Sequence, residues 1–75
     1  MPNYANANGH SGVLAYQLGE DWIEVMFLNG ENYRYTYAST GAEDVEAMKR
    51  LAQAGKGLST FIARNVGDRY ESKGN

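Results

Sequence analysis

The chain has 75 residues, 43% hydrophobic and 12% aromatic, with a formal net charge of −2 and a pI near 5.2. That length predicts one domain, stable by about 4–11 kcal/mol and burying about 60–65% of its unfolded surface, and the apolar content excludes wholesale disorder. Cysteine is absent and His10 is the single histidine, which excludes disulfides, thiolate metal sites and a zinc cluster, so no cofactor is expected.

Residues 1–11, Asn-rich with Pro2 and Gly9, read as a flexible leader. The opening MPNYANANGHSG has neither a positive n-region nor an apolar h-region, which predicts no signal peptide. No apolar run approaches the roughly 18 residues of a membrane span. A soluble, cytoplasmic protein without a membrane partner is the expectation. The domain proper is expected over 12–71, followed by a frayed tail at 72–75.

The first strand is expected from Val13 to Leu18, with Leu14, Tyr16 and Leu18 on one face. Gly19, Glu20 and Asp21 turn the chain. Residues 22–28 then alternate, with Ile23, Val25 and Phe27 on one side and Trp22, Glu24 and Met26 on the other. Asn29-Gly30 is a hairpin signal, and a third strand over 32–37 alternates Tyr33, Tyr35 and Tyr37 against Asn32, Arg34 and Thr36. Parity decides how the two strands meet. A two-residue loop would set the tyrosines beside Trp22, Glu24 and Met26. A three-residue loop, Leu28-Asn29-Gly30 with Gly30 left-handed, pairs Val25 with Tyr33 and Ile23 with Tyr35. The second register gathers the apolar residues and the tyrosines on one face, and it is the one predicted.

Thr40 followed by Glu43 fits a capping box, and Glu43, Asp44 and Glu46 suit the positive end of a helix. Val45, Met48, Leu51 and Ala52 recur at helical spacing, and Gly55 is the expected stop. Ser59 is expected to cap a shorter helix that buries Phe61, Ile62 and Val66 and ends at Gly67. The predicted fold class is therefore α+β: a three-stranded antiparallel meander followed by two helices packed on one face, β-β-β-α-α.

Charge is divided unevenly. Residues 1–48 set Arg34 against seven carboxylates, a balance of −6, whereas residues 49–75 carry six basic and two acidic residues, a balance of +4. The basic end hints at a polyanionic partner. Between the helices, Gly55-Lys56-Gly57 is not a nucleotide-binding P-loop. Position 50 is Arg where a glycine is needed, Gly57 stands where Ser or Thr must follow the lysine, and a helix rather than a strand precedes it.

Tyr16, Ile-Glu-Val-Met-Phe at 23–27, Asn29-Gly30, Tyr-Arg-Tyr at 33–35, a helix, Gly-Lys-Gly at 55–57, Phe61 and Tyr70 follow in an order that resembles the KTSC domain. That family is named for its place at the C-terminus of some lysyl-tRNA synthetases, and it also stands alone in bacteria and phages. The resemblance spans roughly residues 11–71, with Tyr33 and Tyr35 matching its central Tyr-x-Tyr and Lys56 and Gly57 its Gly-Lys-Gly. It implies RNA binding.

Two binding functions follow. A module for RNA or other single-stranded nucleic acid would use Tyr33, Arg34 and Tyr35 for stacking, with Lys49, Arg50, Lys56, Gly57, Arg64 and Arg69 around the backbone. A protein-interaction module would use Trp22, Met26 and Arg34, either on a partner, such as a host complex inhibited by a phage protein, or on a second copy of the chain as a dimer. Catalysis is not expected. His10 and Ser11 fall in the leader, and no other nucleophile–base pair stands out.

Overall fold

The computed structural model describes Asn3 and residues 12–74. Apart from Asn3, the expected leader lies outside them. The elements are β1 (Val13–Leu18), β2 (Trp22–Phe27), β3 (Asn32–Thr36), α1 (Tyr37–Thr40), α2 (Ala42–Ala54), α3 (Leu58–Phe61) running into a π-helical turn (Ile62–Val66), and β4 (Ser72–Gly74). The protein is α+β, with an antiparallel sheet in the order β1-β2-β3-β4. This corrects the expected count of three strands and two helices: among the described residues there are four strands, and a one-turn helix precedes the long one.

The bend between β2 and β3 is the bulged three-residue loop that side-chain parity requires. The Phe27 N–H donates to the Glu31 carbonyl and the Gly30 N–H to the Phe27 carbonyl, both at 2.9 Å. Gly30 sits at φ +88°, a conformation that would strain a residue with a Cβ. Ile23 consequently pairs with Tyr35 and Val25 with Tyr33, and all four side chains turn toward the helices. Strand β1 departs from its expected pattern. Val13 pairs with Phe27 but Ala15 pairs with Met26, so Leu14 is the extra residue of a β-bulge. Val13 takes the core position, and Leu14 is left 43% exposed.

The helices begin differently from the expectation as well. Thr36, not Thr40, makes the capping box: its hydroxyl accepts from the Ser39 N–H while the Ser39 hydroxyl accepts from the Thr36 N–H. Gly41, at φ +100°, breaks the helix after one turn and starts α2 without a side-chain cap. Thr40 is buried and donates its hydroxyl instead to the Arg69 carbonyl, 2.7 Å away. At its other end α2 stops where predicted, with Gly55 left-handed and its N–H shared between the Leu51 and Ala52 carbonyls. Ser59 caps nothing; Gly57 occupies that place.

The core lies between one face of the sheet and the helices. Val13, Ile23, Val25 and Tyr35 meet Val45, Met48, Ala52, Leu58, Ile62 and Val66 there. Leu58, absent from the expected apolar stripe, is fully buried. Among the described residues no helix is long and apolar enough to cross a membrane.

Candidate functional site

Two surfaces deserve a chemical reading, one on each side of the sheet. On the helix side, the inward turn of Tyr33 and Tyr35 builds an aromatic cluster at the end of the core. Tyr33 lies edge-on to Phe27 (centroids 5.3 Å apart) and to Tyr70 (4.8 Å), and near-parallel to Tyr35 (6.4 Å). Tyr70 packs against the core and shares this cluster with Tyr33 and Tyr35. Beside these rings opens a groove of about 450 Å³. Its walls are Phe27 and Leu28 from the hairpin and Ile62 and Gly67 from the π-helical turn, with Tyr33 and Tyr35 beneath.

A polar rim fixes the Tyr33 side of the cluster. Glu31 accepts from Tyr33 Oη (3.3 Å) and Asn29 Nδ2 (3.0 Å) and pairs with Lys73 Nζ at 2.8 Å. The hydrogen bond from Lys73 is the main reason the Glu31 carboxyl is held below the usual carboxylate range, and the same bond raises Lys73. Neither partner was visible in the sequence, because Lys73 fell in the supposed frayed tail. Strand β4 brings it opposite Tyr33.

Glu46 is lowered likewise, first by the hydrogen bond from Lys49 and then by that from Tyr37, which donates Oη to Glu46 Oε2 at 2.6 Å. The sign of the linkage follows. A carboxyl whose pKa is depressed by folding adds stability above its ordinary value and loses it as pH falls through the lowered one. The Glu31→Gln, Glu46→Gln double variant should therefore show a shallower loss of stability than the wild type between about pH 5 and pH 3. Urea midpoints at the two pH values check this, and parallel losses would refute it.

On the opposite face, Trp22, Glu24, Met26, Asn32 and Arg34 stand together. The Arg34 guanidinium lies 4.3 Å from the centre of the Trp22 ring and 3.8 Å from the Glu24 carboxylate. Gly19 lies against the indole, where a Cβ would overlap the ring. Trp22 thus packs against both the Gly19 backbone and the Arg34 guanidinium, with Met26 half-buried in the same strand.

The residues proposed for nucleic acid do not assemble. Tyr35 is 1% exposed, and its ring is shut off from any base; Tyr33 is walled by Phe27, Tyr70 and Lys73. Lys49 donates to the Gly19 and Glu20 carbonyls at 2.7 and 2.8 Å and pairs with Glu46. Arg69 ties the C-terminal segment to α1 and α2. Arg50, Lys56, Gly57 and Arg64 are exposed, all in the helical layer and away from Trp22 and Arg34. Gly57 adopts φ +82° as part of a corner between helices. No family model, curated protein or solved structure matches the chain.

Proposed function

We propose that this chain is a non-catalytic binding module of the KTSC type that engages a protein partner through the open face of its sheet. The observation that carries this reading is the Trp22–Arg34 stack with its Glu24 ion pair, set beside Met26. Trp, Arg and Met are the residues over-represented where protein surfaces meet, and a ring held rigid before contact loses little entropy on binding. Arg34 presents a guanidinium whose charge is already half-answered by Glu24, which suits a mixed polar and apolar partner better than a polyphosphate.

RNA, the ligand implied by the resemblance, is supported by the exposed Arg50, Lys56 and Arg64 of the helical layer. Single strands are held where cations and stacking rings share one groove, and here the exposed cations lie in the helical layer while the half-buried indole lies on the opposite face of the sheet. Protein is therefore the preferred ligand class.

Site-specific photocrosslinking separates the two. A benzophenone amino acid at Met26 should yield protein adducts in a cell extract, and the same group at Arg64 should yield none. Adducts at position 26 should disappear in the Trp22→Ala background. Nuclease-sensitive adducts at position 64 with nothing at position 26 would replace the protein reading with the RNA one.

A further inference from the structure

The aromatic groove on the helix side has a feature that packing alone does not require. Tyr35 is the largest fully buried side chain of the core, yet its hydroxyl takes part in none of the hydrogen bonds made among the described residues. Buried phenols ordinarily find a partner, since an unsatisfied O–H forfeits its hydration without return. Tyr33 and Tyr37, its neighbours in sequence, both donate to carboxylates.

Among the described residues the one side-chain polar atom that is fully shielded and unpaired is Asn32 Oδ1. Tyr35 itself is 1% exposed and is one of the residues that line the groove. A phenol without a hydrogen-bond partner among the described residues thus belongs to a cleft lined also by Phe27, Leu28, Asn29, Tyr33 and Ile62, in which the Asn29 amide already donates to Glu31. The groove's volume lies within the roughly 300–1,000 Å³ of small-molecule sites, which pair apolar walls with a few placed polar groups. Burial pushes the Tyr35 phenol well up from its ordinary value, so it stays protonated and donates. At the rim, Glu31 is already matched by Lys73, leaving no unbalanced charge to attract an ion.

We infer that the groove lined by Tyr33 and Tyr35 is a binding site for a free, uncharged small molecule with a flat ring and a carbonyl acceptor, the ring lying among Phe27, Leu28 and Tyr33 and the acceptor taking the Tyr35 hydroxyl. This site is separate from the sheet face assigned to a protein partner, and either assignment can fail without the other.

Two probes of one shape test it: acetophenone, whose carbonyl can accept, and α-methylstyrene, in which a methylene replaces that oxygen. Each is titrated into the full chain while amide and aromatic signals are followed by two-dimensional NMR. Both should shift Phe27, Leu28, Tyr33 and Tyr35 saturably and leave Trp22 and Met26 unmoved. In the Tyr35→Phe variant, acetophenone should bind about threefold to tenfold more weakly, the range of one neutral hydrogen bond, and α-methylstyrene should bind as before. Benzoate should not bind. The site is refuted if neither neutral probe gives saturable shifts in the groove. The hydroxyl's role is refuted if Tyr35→Phe weakens both probes equally or neither. Removing an unpartnered hydroxyl leaves the core intact, and an unchanged pattern of dispersed signals verifies that before the titration.

Discussion

Tyr35→Ala is expected to remove about 3–5 kcal/mol of the protein's stability, and Tyr35→Phe to leave it as stable as the wild type. Truncating a large buried aromatic residue costs about 3–5 kcal/mol, counting both the lost transfer energy and the cavity left behind. A domain this small has about 4–11 kcal/mol in total. Tyr35 is also a keystone: its ring packs 6.4 Å from both Tyr33 and Tyr70 and lies in the cluster with Ile23, Met48 and Leu58. Losing it opens the interface between the sheet and the helices. The phenylalanine variant keeps the ring and deletes only an oxygen without a hydrogen-bond partner, a change near neutral or slightly stabilising. Urea unfolding followed by Trp22 fluorescence measures both. A loss above about 1.5 kcal/mol in Tyr35→Phe would mean that the hydroxyl has a partner inside the fold.

The sheet was legible in the sequence because strand alternation and loop parity are local. Placing Val25 opposite Tyr33 needed only the odd loop and the rule that neighbouring side chains point to opposite faces. The burial of Tyr35, and with it the failure of Tyr35 as a stacking residue, follows from that register. What escaped was non-local or hung on one glycine. The β1 bulge moves Val13 inward in place of Leu14, and both residues are apolar, so composition could not choose between them. Thr40–Glu43 looked like a capping box, but Gly41 breaks the helix there and Thr36–Ser39 supplies the box one turn earlier. The strand Ser72–Gly74 carries no β-forming residue at all. It exists because β3 offers an edge, which the Glu71 N–H reaches by donating to the Arg34 carbonyl at 2.7 Å.

The same limit applies to the charges. Six basic residues in the last third suggested a polyanion, yet the folded chain uses Lys49, Arg69 and Lys73 to fasten its own segments together. A charge count cannot see that, because the acceptors are backbone carbonyls and carboxylates brought close only by the tertiary fold. Lys49 shows the pattern: its ammonium reaches the Gly19–Glu20 turn about thirty residues earlier and so locks α2 onto the β1–β2 connection.

Arg69 is the strongest of these fasteners, and Arg69→Ala is expected to destabilise the protein by about 2–3 kcal/mol, the worth of losing charge-assisted hydrogen bonds that leave acceptors behind. Its guanidinium donates to the Thr40 carbonyl at 2.8 Å, to Asp44 Oδ2 at 2.6 Å and to the Asn65 and Val66 carbonyls, while its own carbonyl accepts from the buried Thr40 hydroxyl. One side chain thereby joins the end of α1, the start of α2 and the π-helical turn, and it fixes the segment that leads into β4. Arg69→Lys should recover little of the loss, because a single ammonium cannot span acceptors arranged around a planar fork. Three of the four acceptors are backbone dipoles rather than ions, so most of the loss should persist at about 0.5 M salt, where only the Asp44 pair is appreciably screened. Chemical denaturation at low and high salt measures this, and hydrogen exchange should locate it, with the Glu71 amide and β4 losing protection first. A loss that vanished in high salt would reduce Arg69 to an ordinary surface ion pair and return it to the pool of cations able to meet a phosphate.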